Sequence, residues 1–133
     1  MIEPWVTWWS SIIYRRLHHE PFDADSVRWE FPASGPLSGA NIALPWIIFH
    51  RDRQRFEREY PLLTVRCIRP TLPFRYLLSG GVSCRSIAPL WTFGLARRIE
   101  ECLNPWMRVW GMFAQIVVEK RTGIGAESAI AEQ

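Results

Sequence analysis

Cysteine is scarce in this chain of 133 residues, and its spacing excludes as much as its number. Cys67, Cys84 and Cys102 stand too far apart for a local metal knuckle, and an odd count argues against a disulfide framework. A reducing, cytoplasmic setting is therefore the expectation. Apolar runs are short as well, none approaching the roughly 20 residues that span a bilayer. No basic region and apolar core follow Met1, so no secretion signal is expected. Peripheral membrane contact stays compatible with Trp8, Trp9, Ile12 and Ile13, which crowd one short stretch. No Gly-x-Gly-x-x-Gly fingerprint occurs, so a dinucleotide-type phosphate loop is excluded.

What is present supports one folded domain. With 48% hydrophobic and 22% charged residues the chain can build a core. Eight tryptophans are many for this length, and rings of that size belong in cores, grooves and contact surfaces. The net charge of +3 is too small for a nucleic-acid signature. Arg51, Arg53, Arg55 and Arg58 alternate with Asp52, Glu57 and Glu59, which dilutes any field that attracts phosphate.

Met1 and Ile2 read as the end of a buried strand that Pro4 stops, and periodicity predicts a helix from about Trp8 to Leu17, with Ile12, Ile13 and Leu17 near one face. The stretch HHEPFDADSVRWEFPASGPLSGAN reads as an irregular excursion containing one short strand around Val27–Phe31. A helix is expected from Ile42 to Glu59, capped by Asn41, with Leu44, Ile48, Phe56 and Tyr60 inward and its charges facing solvent. Leu63–Ile68 should be a half-buried strand ending before Pro70. Met112–Glu119 should be a central strand covered on both sides. A helix or two short turns should end at Asn104 and Pro105, and residues 122–133 should form a flexible tail. In RYLLSGGVSCRS, Gly80 and Gly81 read as a turn after an extended strand, with Ser83 or Ser86 starting the next helix.

Several stretches together carry a resemblance: MIEPWVT, HHEPF, GPLSGANIALPWIIFHRDRQRFEREYP, FRYLLSGGVSCRS and FAQIVVEKR. They resemble the carboxy-terminal portion of bacterial class I S-adenosylmethionine-dependent methyltransferases of the small-molecule type, over residues 1–121. The resemblance implies an α/β, partial Rossmann-like fold with an irregular substrate-side insertion at about residues 8–41. It makes Met1–Glu3 the end of the fifth strand, Leu63–Ile68 the sixth, and Met112–Glu119 an antiparallel seventh lying between them. S-adenosylmethionine is the implied cofactor. The glycine-rich loop and ribose-binding acid that hold it in the family belong to an amino-terminal half with no counterpart here. The expected partners are a small-molecule substrate and either a separate amino-terminal half or a second copy meeting an open sheet edge.

Candidate site residues follow from chemistry and placement. His19 and Glu20 are candidate catalytic residues, a histidine able to exchange a proton near neutrality and a carboxylate able to fix its tautomer. His18 is a weaker candidate, for substrate contact. Adjacent side chains diverge, so no metal site is expected even with His50 nearby. Glu3 and Trp5 fall at the carboxyl end of a strand, where open α/β sheets place their ligand crevice. Trp29 and Trp46 serve as packing residues or as a pocket wall, Trp29 being carried as a substrate contact. Asn41 either caps the following helix or faces substrate. Arg75 either neutralises an acidic substrate or pairs with Glu30 or Glu57. No Ser-His-Asp set or activated cysteine can be assembled, which places hydrolase chemistry low.

Overall fold

A computed structural model of the chain describes residues 1–18, 20–30, 39–80 and 88–121. The elements are β1 (Ile2–Pro4), α1 (Trp8–Leu17), α2 (Leu44–Trp46) running into a π turn (Ile47–Arg51), α3 (Arg53–Glu59) and β2 (Leu63–Thr71). Then come α4 (Arg75–Leu78), α5 (Leu90–Cys102), a 3-10 turn (Asn104–Trp106), α6 (Met107–Trp110) and β3 (Phe113–Lys120). The fold is mixed α/β. Its three strands lie in the order β1-β3-β2, and β3 runs antiparallel to both neighbours.

Thr7 starts α1 through a reciprocal capping box with Ser10, and its hydroxyl also donates to the Gly111 carbonyl at 2.8 Å. This bond fastens the helix to the end of α6. A side chain at Gly111 has no room: a Cβ there would come 2.8 Å from the Met107 carbonyl oxygen and 2.8 Å from Pro70. The helix buries Ser10, Ile13 and Tyr14, whereas Leu17, expected on the inner face, is 71% exposed.

The largest departure from simple periodicity lies between Leu44 and Glu59. The expected continuous helix begins two residues later than Ile42, widens at Ile47–Arg51, and restarts after Asp52. The Asp52 amide donates to the Ile47 carbonyl five residues back, at 2.8 Å. Ile47, at the start of the wide turn, is fully buried; beyond it Phe56 stays inward as expected, while Tyr60 is half exposed. Asn41 does not cap this helix directly. Its Oδ1 accepts from the amides of Asp23 and Ala43, and its Nδ2 donates to the Asp23 carbonyl, so it staples the excursion to the helix start.

Strand β2 runs through Pro70 to Thr71 instead of stopping before it. It is an edge strand, where a missing amide donor costs no ladder bond. A bulge between Val65 and Cys67 turns the alternation over, so Val65 and Ile68 join the core and Cys67 does not. The extra residue, Arg66, reaches across the sheet to Glu119 at 2.9 Å.

β3 is central as expected but is not covered on both sides. Ala114 and Ile116 are buried beneath Trp5 and Phe56, while Gln115 and Val117 on the opposite face are exposed, as is Ile2 on β1. Among the described residues the second face is covered near Phe113, which meets Tyr76 at 4.6 Å between ring centroids and belongs to a second cluster built from Ile13, Tyr14, Ile42 and Met112. The expected strand around Val27–Phe31 is absent over residues 27–30, and Phe31 lies outside the described residues. RYLL forms a helical turn, not a strand extension. Gly80 closes it at φ 97°, a conformation that favours glycine. Gly81, Ser83, Ser86 and the expected tail at 122–133 lie outside the described residues.

Candidate functional site

The excursion is held over the sheet by charges expected to face solvent. The Arg51 guanidinium donates to the carbonyls of Ala24 and Ser26 at 2.7 Å each and forms two bonds with Asp52. Asp52 also accepts from the indole of Trp29 at 3.0 Å, while the Arg55 guanidinium lies 4.2 Å from the Trp29 ring. Trp29 is therefore a strut between the excursion and α3, and its polar atom is spent there. The Arg51 hydrogen bond, followed by that of Trp29, overcomes burial and holds the Asp52 carboxyl down at about 2. A depressed folded value gives stability that is present above the unfolded value near 4 and lost as pH falls toward 2. Acid titration of Trp29 fluorescence is expected to show release of the excursion in that window, and Asp52→Asn to remove the transition.

With the excursion in place, a pocket of about 300 Å³ opens beside the β1 edge. Its walls are mainly apolar, supplied by Ile42, Leu44, Ile48 and Phe49, and its polar groups include Glu3, Glu20 and Asn41. Ile48 and Phe49 stand one turn after Leu44 and Pro45 and continue the same wall.

Three of the sequence-selected residues thus converge. Glu3 enters from β1 and has no ionic partner among the described residues. The Glu20 carboxylate lies 3.9 Å from His18 Nδ1, but that nitrogen accepts the Glu20 amide proton at 3.3 Å. A ring nitrogen presenting its lone pair cannot also act as the cation toward Glu20. Asn41 lines the pocket while its own hydrogen bonds position the wall.

The remaining candidates are elsewhere. Trp5 is 4% exposed and packs in the main core, its ring 5.7 Å from that of His50. His18 is enclosed beside Tyr14, with which it makes an edge contact at 5.7 Å. Arg75 pairs with Glu100, not with Glu30 or Glu57, and so is not free to neutralise a substrate. Glu30 instead lies near Arg28, and Glu57 is taken by Arg53, Thr64 and the Val65 amide. His50 sits between Trp5 and Trp46, remote in role from His18, and no cluster able to hold a metal occurs among the described residues. His19 lies outside the described residues. Compared with family models, curated proteins and solved structures, the chain matches none.

The pocket wall was not visible in the sequence. Leu44 and Ile48 read as inward positions of one helix, and nothing in their spacing shows that this face looks onto a pocket instead of a filled core. Chemically, an apolar chamber with two carboxylates suits a small organic molecule whose polar group meets Glu3 or Glu20. Either carboxylate can accept a proton from it.

Proposed function

We propose that the chain forms the substrate-side part of a class I S-adenosylmethionine-dependent methyltransferase fold and binds the small molecule to be methylated. The observation that carries this reading is the sheet, ordered β1-β3-β2 with its middle strand antiparallel to both neighbours, beside a pocket at the β1 edge. That is the order implied for the fifth, seventh and sixth strands by the sequence resemblance. The acceptor would occupy the apolar pocket, with Glu20 as the proton acceptor and Glu3 and Asn41 in the surrounding wall.

The described residues do not fit the cofactor. The one glycine among them with positive φ, Gly80, ends a helical turn instead of opening a phosphate-binding helix. The β1 edge away from β3 carries no strand among the described residues, and the face with Ile2 and Val117 is uncovered, so both surfaces would receive the half that binds S-adenosylmethionine. By calorimetry, the chain alone is expected to show negligible S-adenosylmethionine binding, and binding is expected on adding the first half of a related methyltransferase. Tight binding by the chain alone overturns the reading.

A non-enzymatic pairing subunit is the second reading, favoured by the same open edge. It predicts a stable complex or homo-oligomer joined at β1 that binds neither cofactor nor methyl acceptor.

A further inference from the structure

Helix α5 is turned inside out relative to an ordinary surface helix. Its only buried residues are Ala96 and Glu100, while Leu90 is 90%, Trp91 71% and Leu95 53% exposed. Ile99 on the same helix and Trp106 and Val109 just beyond it are exposed as well. A helix that hides a carboxylate and shows tryptophan and leucine to solvent is built for a surface outside this fold.

The charges around the apolar residues define that surface. Glu100 is turned inward onto Arg75, and Glu101 is tied to Arg97 at 2.9 Å. Arg98 and Arg108 are exposed and have no acidic partner among the described residues. Arg98 shares a shallow depression with Trp91, Gly94 and Leu95, so uncompensated positive charge lies within the apolar row. A second copy docking by the same patch would bring positive charge to both sides of the seam, where the exposed acid of α5, Glu101, is already tied to Arg97. An anionic bilayer surface satisfies both halves of the pattern, because phosphate groups meet the guanidinium groups while indole rings settle at the headgroup boundary. α5 has 13 residues, a length of about 20 Å, and it suits lying in the interface. No helix among the described residues is long and apolar enough to cross a membrane.

We propose that α5, with Trp106 and Arg108, is a docking surface for anionic phospholipid membranes. Binding follows burial of Trp91 and Leu95 below the headgroups and pairing of Arg98 and Arg108 with lipid phosphates. The surface belongs to the segment between β2 and β3 and does not involve the pocket at the β1 edge.

The test is flotation of the full chain with vesicles of phosphatidylcholine alone and of phosphatidylcholine mixed with phosphatidylglycerol. Quenching of Trp91 by brominated lipid, assigned by comparison with Trp91→Phe, gives a second readout that needs no disruptive variant. Expected are binding to the anionic vesicles, weakening by about thirtyfold or more in Arg98→Glu/Arg108→Glu, and weakening by about tenfold or more in Leu95→Ser. Absence of binding to anionic vesicles overturns the proposal. So does binding that neither variant weakens, or a self-association in solution that Leu95→Ser abolishes while vesicles capture nothing.

Discussion

Glu100→Ala is expected to lower the folding stability by about 3 kcal/mol, read as a fall in the urea midpoint of the near-ultraviolet circular dichroism. The carboxylate side chain is 5% exposed and accepts from the amides of Phe74 and Arg75 at 3.1 and 2.9 Å, besides meeting the Arg75 guanidinium. Removing it leaves two amide donors and a partly buried cation without their acceptor, a larger loss than the pair itself supplies. Arg75 is 40% exposed, so water recovers part of its solvation, which keeps the cost at the lower end of the range for a buried pair. Glu100→Gln keeps an oxygen for the amides and is expected to cost about half as much. Since domains of this size have about 5–15 kcal/mol in all, the alanine variant should be visibly less stable at ordinary temperature.

The second large effect is expected at Tyr14. Its ring is 2% exposed, contacts His18 and Phe22, and sends its hydroxyl proton to the Met112 carbonyl. It joins α1, the start of the excursion and the entry to β3. Tyr14→Ala should cost about 3–5 kcal/mol by opening a cavity at that junction. Tyr14→Phe should cost only about 1 kcal/mol, because the Met112 carbonyl keeps the Trp5 amide as a donor at 2.8 Å. Burial, more than the neighbouring Tyr76, raises the Tyr14 phenol well above its ordinary value. A raised folded value gives stability that is complete below the unfolded value near 10 and declines as pH rises beyond it. Denaturation midpoints followed into alkali should therefore fall in the parent chain, and fall less in Tyr14→Phe.

Elements whose signal was local were legible in the sequence. α1 follows from its apolar spacing, and the central place of β3 from its run of apolar residues. Glu3, Glu20 and Asn41 were selected from their chemistry and position and do meet at one pocket. The misreadings have a common physical origin in extra residues that reset a period. The wide turn at Ile47–Arg51 breaks the single helical period, with Ile47 buried and Tyr60 half exposed, and the bulge at Arg66 exchanged the roles of Cys67 and Ile68. Neither leaves a mark in propensity, because both depend on what the backbone meets across the core. Arg75 found an unexpected partner, and Trp29 took the packing alternative over the substrate contact, for another reason. Their polar groups are satisfied by Glu100 and Asp52, and the partner of a charged or indole group across the fold is not encoded in spacing.

The connection between β2 and β3 has a consequence for how the molecule reaches its native state. These strands pair along most of their length, yet residues 72–112 intervene where a hairpin would use a few. A connection roughly tenfold longer than a tight turn adds about 2 kcal/mol to the entropy of closure. Strand pairing is thereby delayed unless the connection first shortens itself. The clasp from Glu100 to Arg75 is a contact that does so, since it brings the far end of α5 back to the foot of β2. In the native state that clasp spans most of the connection, so the loop left for the pairing of β2 with β3 to close is far shorter than residues 72–112.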